Sequence, residues 1–163
     1  VLNRPRHNEL ISQIRKSGAR IQSHSDGDVA GSLMAVEEGS EVDVMMGTGG
    51  TPEGVLSACA IASLGGEILA RLDPQSSEEK TAIERAGLDL NQVLNVSSLV
   101  NSEDVFFAAT GISGGTFLSG VRYTGSGATT HSLVIRGKTG TVRNIKSRHN
   151  WEKLMQFSAV KYD

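Results

Sequence analysis

The chain has 163 residues, 38% of them hydrophobic, with 16 Lys and Arg against 18 Asp and Glu for a net charge of −2. That length suits one domain with a real core, and the near-neutral balance, with a pI of about 6.1, excludes the basic footprint of a nucleic-acid or anionic-membrane binder. No apolar run approaches membrane-spanning length, no signal-peptide pattern opens the chain, and the lone Cys59 excludes an internal disulfide and fits a reducing compartment such as the cytoplasm.

In chain order, Arg4-Pro5-Arg6 leads into an amphipathic helix from His7 to Lys16, with Leu10, Ile11 and Ile14 on one face and Gly18 as its C-cap. Ala19 to Gln22 reads as a short strand, Asp26-Gly27-Asp28 as a turn, and Val29 to Val36 as a small-residue helix. Val42 to Met46 is a short apolar run with β-branched residues, the pattern of a strand buried on both faces. Gly47, Gly49 and Gly50 let the backbone turn tightly after it. Thr51 then serves as N-cap and Pro52 as first helical residue of a helix reaching about Leu64, ended by Gly65-Gly66. Cys59, inside that apolar helix, reads as a buried inert thiol.

Glu67 to Leu72, Val93 to Val96 and Asp104 to Ala109 are further strand candidates, and Ser76 to Ala86 is a charged helix closing at Gly87. A glycine and serine loop spans Gly111 to Gly120. Beyond it, Gly120 to Tyr123, Thr129 to Arg136 and Thr139 to Ile145 form β-ribbons joined at Gly125-Ser126-Gly127 and Gly137-Lys138. Alternating helices and strands followed by ribbons predict an α/β layered domain with a mostly parallel sheet and an antiparallel extension. No repeat or linker divides the chain, so a single domain is the simplest account.

Three loops are placed for a ligand at the carboxyl ends of such strands. Arg4 and Arg6 present two permanently charged, planar donors on a rigid turn, suited to phosphate oxygens, although paired arginines also serve as a solvated surface. Asp26 and Asp28 around Gly27 suit sugar hydroxyls or a metal, or form an ordinary turn. Val29, Ala30 and Gly31 follow them where calcium ligands would stand, so an EF-hand is excluded. The free N–H groups after Gly49 and Gly50 suit an anion, with Glu53 placed to hold a cation beside it; the alternative is a plain strand-to-helix turn. Histidines 7, 24, 131 and 149 lack ligand-type spacing and give zinc little support. His131 reads as a structural strand residue, and Lys138 and Arg143 as solvent-facing.

Taken in order, RPRH, SDGDVAG, VDVMMGTGGTPEGV, FFAATGI, GVRY, ATTHSLVIRGKTGTVR and SRH resemble class II fructose-1,6-bisphosphatase over nearly the whole chain. The joint match is specific, though no single motif is. The resemblance places residues 1–163 in the C-terminal half of an enzyme about twice this length. The start at Val1 rather than Met agrees with a piece of something longer. It implies the α/β/α/β/α sandwich of the lithium-sensitive, metal-dependent sugar phosphatases, of which this chain would supply the second layered part.

Carried over position by position, the resemblance makes Arg4, Pro5 and Arg6, then Asp26, Gly27 and Asp28, and the backbone of Gly50, substrate contacts. It makes Glu53 a ligand of a catalytic Mn²⁺ or Mg²⁺ ion, in keeping with hard oxygen donors. The other metal carboxylates and the groups that activate water would lie in the N-terminal half, so no catalytic residue is expected in this chain and the isolated piece should be inactive. Ser23-His24-Ser25 departs from the more apolar or proline-bearing approach to Asp26 in the family, and His24 reads as neutral filler rather than an added charge near phosphate.

The implied reaction removes the 1-phosphate of fructose 1,6-bisphosphate, giving fructose 6-phosphate and inorganic phosphate, in gluconeogenesis and glycerol metabolism. Its partner is a small sugar bisphosphate, with no nucleic acid and no membrane, and a homo-oligomer is compatible with it. The setting would be cytoplasmic, or the plastid stroma in a photosynthetic eukaryote. Two alternatives stay open at this level: a bifunctional enzyme that also accepts sedoheptulose 1,7-bisphosphate, and a non-catalytic phosphosugar-binding module. A plain α/β domain would require all three loops to be turns by coincidence.

Overall fold

The computed structural model describes residues 1–158. The chain divides into two compact units, Val1–Glu103 and the segment from Asp104 onward. Among the described residues there are six α-helices and four strands, and no helix is long and apolar enough to cross a membrane.

The N-terminal unit is helical. A 3₁₀ turn over Pro5–His7 leads into α1, Asn8–Lys16, which buries Ile11 and ends as Gly18 turns left-handed. Helix α2 spans Asp28–Met34 and α3 spans Thr51–Leu64. They pack on each other, and their small and apolar residues Leu33, Met34, Ala58, Ala60 and Ile61 make the buried centre of this unit. α4, Ser77–Arg85, buries none of its residues. Its start is held by Ser76, whose hydroxyl accepts from the Glu79 amide at 3.1 Å, while Glu79 accepts from the Gln75 amide at 2.7 Å. With no packing to support it, this helix depends on its cap. Ser76→Ala is expected to lower its local stability by about 1 kcal/mol, read as faster amide exchange across α4 with the rest of the unit unchanged. A short α5, Val96–Leu99, packs against α3.

The expected parallel sheet is corrected by this arrangement. Ala19 to Gln22 and Val42 to Met46 join no ladder, and the parallel contact among the described residues is one isolated bridge, Leu2 to His24. Glu67 to Leu72 and Val93 to Val96 meet only through the antiparallel bridge of Ala70 with Leu94, and Val96 opens α5 instead. Val42 to Met46 is also not buried on both faces, since Val44 is 64% and Met46 45% exposed. The reason lies in pairing: an apolar run becomes a buried strand only when neighbours occupy both its edges, and the described residues provide none.

The C-terminal unit is a four-stranded antiparallel sheet, as the ribbon pattern predicts. β1, Phe106–Thr110, and β2, Arg122–Thr124, both lie along one edge of β3, Gly127–Arg136, and β4, Thr141–Asn150, along the other. β2 and β3 are joined by Gly125 and Ser126, and β3 and β4 by a 3₁₀ turn over Gly137–Thr139. Phe107, Leu133 and Ile135 share a face by register and are buried. On the other face Trp151, which opens α6 (Trp151–Leu154), stacks on Tyr123 with ring centroids 6.0 Å apart. His131 lies within β3, and Lys138 and Arg143 are exposed, as the sequence predicts.

Candidate functional site

All the site residues expected from sequence fall in the N-terminal unit, and three of its loops converge on the start of α3. The first is Arg4 to His7. Arg4 forms an ion pair with Asp26 of the second loop, both side chains well exposed, so the pair contributes less than about 1 kcal/mol and leaves guanidinium N–H groups for a ligand. Arg6 donates from Nε to the Thr48 carbonyl at 2.9 Å, which aims its arm at the third loop.

The second loop turns at Gly27, whose φ of +88° is the left-handed conformation that an L side chain resists, and places Asp28 as the first residue of α2. One oxygen of Asp28 accepts from the Val29 amide at 3.0 Å. The other packs on the third loop so closely that a methyl at Gly49 would start 2.6 Å from it. Glu53 folds back in the same way over Gly50, filling the space a side chain there would need. Gly49 and Gly50 therefore let two carboxylates lie directly on the backbone.

Gly50, not Thr51, is the N-cap of α3, with Thr51 and Pro52 the first helical residues, one position earlier than the sequence reading has it. No side chain caps this end, so the first amides of a 14-residue helix are directed toward the meeting point of the loops. Such an end attracts an anion. Two arginines, three carboxylates and a row of amides can together take a phosphate ester and hydrogen-bond its hydroxyls. As a metal centre the set is partial. Glu53 offers one hard oxygen donor, and among the described residues no three His, Cys, Asp or Glu side chains are grouped to hold a metal ion.

The sequence reading missed His7. It is 2% exposed, and the Thr48 amide donates to its Nε2 at 2.8 Å. Nε2 is then the acceptor nitrogen, so Nδ1 carries the proton and donates to the Leu2 carbonyl at 2.8 Å. The 3.2 Å approach of Nε2 to the Thr48 carbonyl is proximity, not a bond. His7 thus pins the third loop to the first, and its ring packs against Gly47, where a side chain would begin 3.1 Å from Cε1. A search for metal-ligand spacing passes over it, because its partners are backbone groups, one of them 41 residues away. Replacing His7 with alanine is expected to cost about 2 kcal/mol in urea unfolding and to expose the Thr48 amide to exchange, leaving α4 unaffected.

His24 takes part through its backbone, accepting from the Asn3 amide at 2.7 Å and donating to the Val1 carbonyl at 3.1 Å, in keeping with a structural role. Thr48 also donates its hydroxyl to Asp73 at 3.2 Å, which ties a fourth carboxylate to the loop. Cys59 is half-buried on α3 rather than buried as its apolar helical pattern predicts, because only one side of that helix, with Ala58, Ala60 and Ile61, is packed.

Comparison with known proteins identifies the family of the chain. The family described as bacterial fructose-1,6-bisphosphatase, glpX-encoded, matches residues 1–149. Fructose-1,6-bisphosphatase class 2 of Haemophilus influenzae is 41% identical over 167 aligned positions, covering 94% of this chain and 50% of that protein. Fructose-1,6-bisphosphatase 1 class 2 of Escherichia coli K12 is 38% identical over 162, covering 91% and 48%. The chain thus spans about half the length of the curated relatives it matches. With the match running from the arginine loop through the terminal ribbon, the chain belongs to the class II, glpX-type fructose-1,6-bisphosphatase family.

Proposed function

We propose that this chain forms the substrate-holding half of a metal-dependent phosphatase that converts fructose 1,6-bisphosphate to fructose 6-phosphate and inorganic phosphate. The observation that carries the reading is the convergence of Arg4, Arg6, Asp26, Asp28, Gly50 and Glu53 on the uncapped start of α3. Arg4 and Arg6 bind phosphate oxygens through planar guanidinium donors on the rigid Pro5 turn. Asp26 and Asp28, with Gly27 setting the angle between them, accept from sugar hydroxyls. The Gly50 backbone lies against the substrate, and Glu53 is one ligand of a divalent ion. Mn²⁺ or Mg²⁺, when bound, would supply an activated water and offset charge on the leaving phosphate.

The remaining metal ligands and the water-activating groups are assigned to polypeptide outside residues 1–163. In the complete enzyme this chain would contribute the second layered part of an α/β/α/β/α sandwich, where the apolar runs at Val42 to Met46 and Glu67 to Leu72 find strand neighbours. Support comes from the exposure of Val44, Met46 and Leu69 together with the share of its relatives that the chain spans. The reaction would take place in the compartment where gluconeogenic sugar phosphates are handled.

The test is phosphate release from fructose 1,6-bisphosphate, with and without Mn²⁺, by this chain alone and by a polypeptide carrying in addition the half that its relatives possess. Turnover by the longer polypeptide only is the expected result. Turnover by the shorter chain would overturn the division of labour, and silence in both would overturn the enzyme. Sedoheptulose 1,7-bisphosphate, assayed in parallel, separates a single from a dual specificity.

A further inference from the structure

We propose that the C-terminal sheet carries a binding site for a small phosphate group at the end where Arg122, His131, Lys146 and Arg148 share one face. No residue of this site belongs to the loops assigned above to the sugar bisphosphate, and the inference stands apart from that assignment. Charge is unevenly divided along the chain. Residues 1–103 hold 8 Lys and Arg against 15 Asp and Glu, a net −7, while residues 104–163 hold 8 against 3, a net +5. The overall value of −2 hides this split.

Strand register concentrates the positive charge further. Arg122 stands opposite Thr129, Thr129 opposite Arg148, and His131 opposite Lys146. Residues two apart on a strand face the same side, so these five side chains occupy two adjacent rows of one face. Strand spacings of about 4.8 Å and row spacings of about 6.8 Å keep the three permanent cations within roughly 12 Å of each other, with Lys146 and Arg148 about 7 Å apart along β4. The Lys146 to Arg148 spacing is within the Debye length of about 8 Å at physiological salt, so solvent ions do not fully screen the repulsion of that pair.

Proteins commonly relieve such a cluster with interleaved carboxylates. Here, among the described residues, Arg122, Lys146 and Arg148 form no salt bridge, whereas Arg136 at the other end of β3 has Asp104 beside it and the Phe106 ring beneath it. The same face is apolar toward that end, where Phe107, Leu133 and Ile135 are buried. A cleft of about 260 Å³ beside this cluster is lined by His131, Lys146, Ser119 and Asn144 together with the apolar Phe117 and Leu118, while Arg122, Thr129 and Arg148 lie outside its lining on the same face of the sheet. That volume is below the roughly 300–1,000 Å³ of pockets for drug-sized ligands, so it suits inorganic phosphate or a small monoester rather than a dinucleotide. The Lys146 ammonium at the cleft and the Arg148 guanidinium in the adjacent row carry the two positive charges that offset one phosphate dianion, with Arg122, His131 and Thr129 offering further donors on the same face.

The experiment is a titration of the whole 163-residue chain at constant pH, following the His131 imidazole resonances by NMR. Potassium phosphate is compared with potassium chloride at matched ionic strength. Phosphate is expected to give a saturable shift that chloride does not. Lys146→Gln combined with Arg148→Gln should weaken it at least about tenfold with amide dispersion of the sheet preserved, since two charge-assisted contacts are removed. Arg4→Gln combined with Arg6→Gln should leave it in place, so failure of the substrate-loop assignment would not register here. Tighter binding of glycerol 3-phosphate would identify an ester as the ligand, and equal or weaker binding inorganic phosphate. Equal shifts in both salts, a double Lys146 and Arg148 variant that titrates like the parent, or a shift abolished by the Arg4 and Arg6 changes would each overturn the proposal.

Discussion

Glu53→Gln, introduced into a polypeptide that carries this chain together with the half its relatives possess, is expected on the proposed function to lower Mn²⁺-dependent phosphate release by more than about 100-fold, because even partners that only orient metal ligands cost 10–100-fold when lost. The substitution preserves shape and removes a charge. Glutamine can still lie over Gly50, where the Glu53 carboxylate now rests, so the start of α3 should be undisturbed. In the role proposed for Glu53, what is lost is one anionic donor to a hard divalent ion. Part of the activity should therefore return at high Mn²⁺ concentration, and unfolding by urea should match that of the parent. Unchanged activity at limiting Mn²⁺ would remove Glu53 from the metal site. Loss of activity that no Mn²⁺ concentration relieves would assign it some other role.

Gly127→Ala should be the most damaging single change in the C-terminal unit. Gly127 is buried at the start of β3, opposite Asn150 of β4, and a methyl there would collide with the carbonyl oxygen of His149. That oxygen belongs to the neighbouring strand, so no rotamer change can make room and the ladder itself must shift. Overpacking of this kind costs about 3 kcal/mol. For a unit this small it corresponds to a fall in Tm of more than about 10 °C. The chain supplies its own probe, since its sole tryptophan, Trp151, stacks on Tyr123 within the same unit. Trp fluorescence should follow the loss while the helical signal of the N-terminal unit persists. Gly125→Ala is the control, two residues away in the hairpin with open space around it, and should change Tm little. Equal effects of the two substitutions would sink the steric account.

Both predictions depend on features that differ in how far the sequence reveals them. Glu53 was legible because a glycine turn followed by threonine, proline and glutamate is a local helix-start pattern, and α3 begins within one residue of where that pattern places it. The collision at Gly127 was not, because His149 lies 22 positions further along and only the register of β3 with β4 brings them together.

The sequence by itself determined the parts that depend on near neighbours. Helices α1 to α4 stand where periodicity and caps place them, and so does the antiparallel ribbon with its glycine turns. The three loops proposed to hold a ligand are local in the same sense, since Arg4 to Arg6, Asp26 to Asp28 and Gly49 to Glu53 each span only a few residues. Tertiary structure alone decided which of these meet. Arg4 reaches Asp26, Arg6 reaches Thr48, Asp28 packs on Gly49, and His7 fastens the assembly through two backbone groups that no motif records. It also decided against the parallel sheet, because hydrophobic alternation makes a segment competent to be a strand without naming a partner. Val42 to Met46 has the composition of a buried strand and, among the described residues, no neighbour to pair with. Helical hydrogen bonds close within four residues and can be read locally, whereas strand hydrogen bonds and side-chain contacts between loops depend on chain that lies far away.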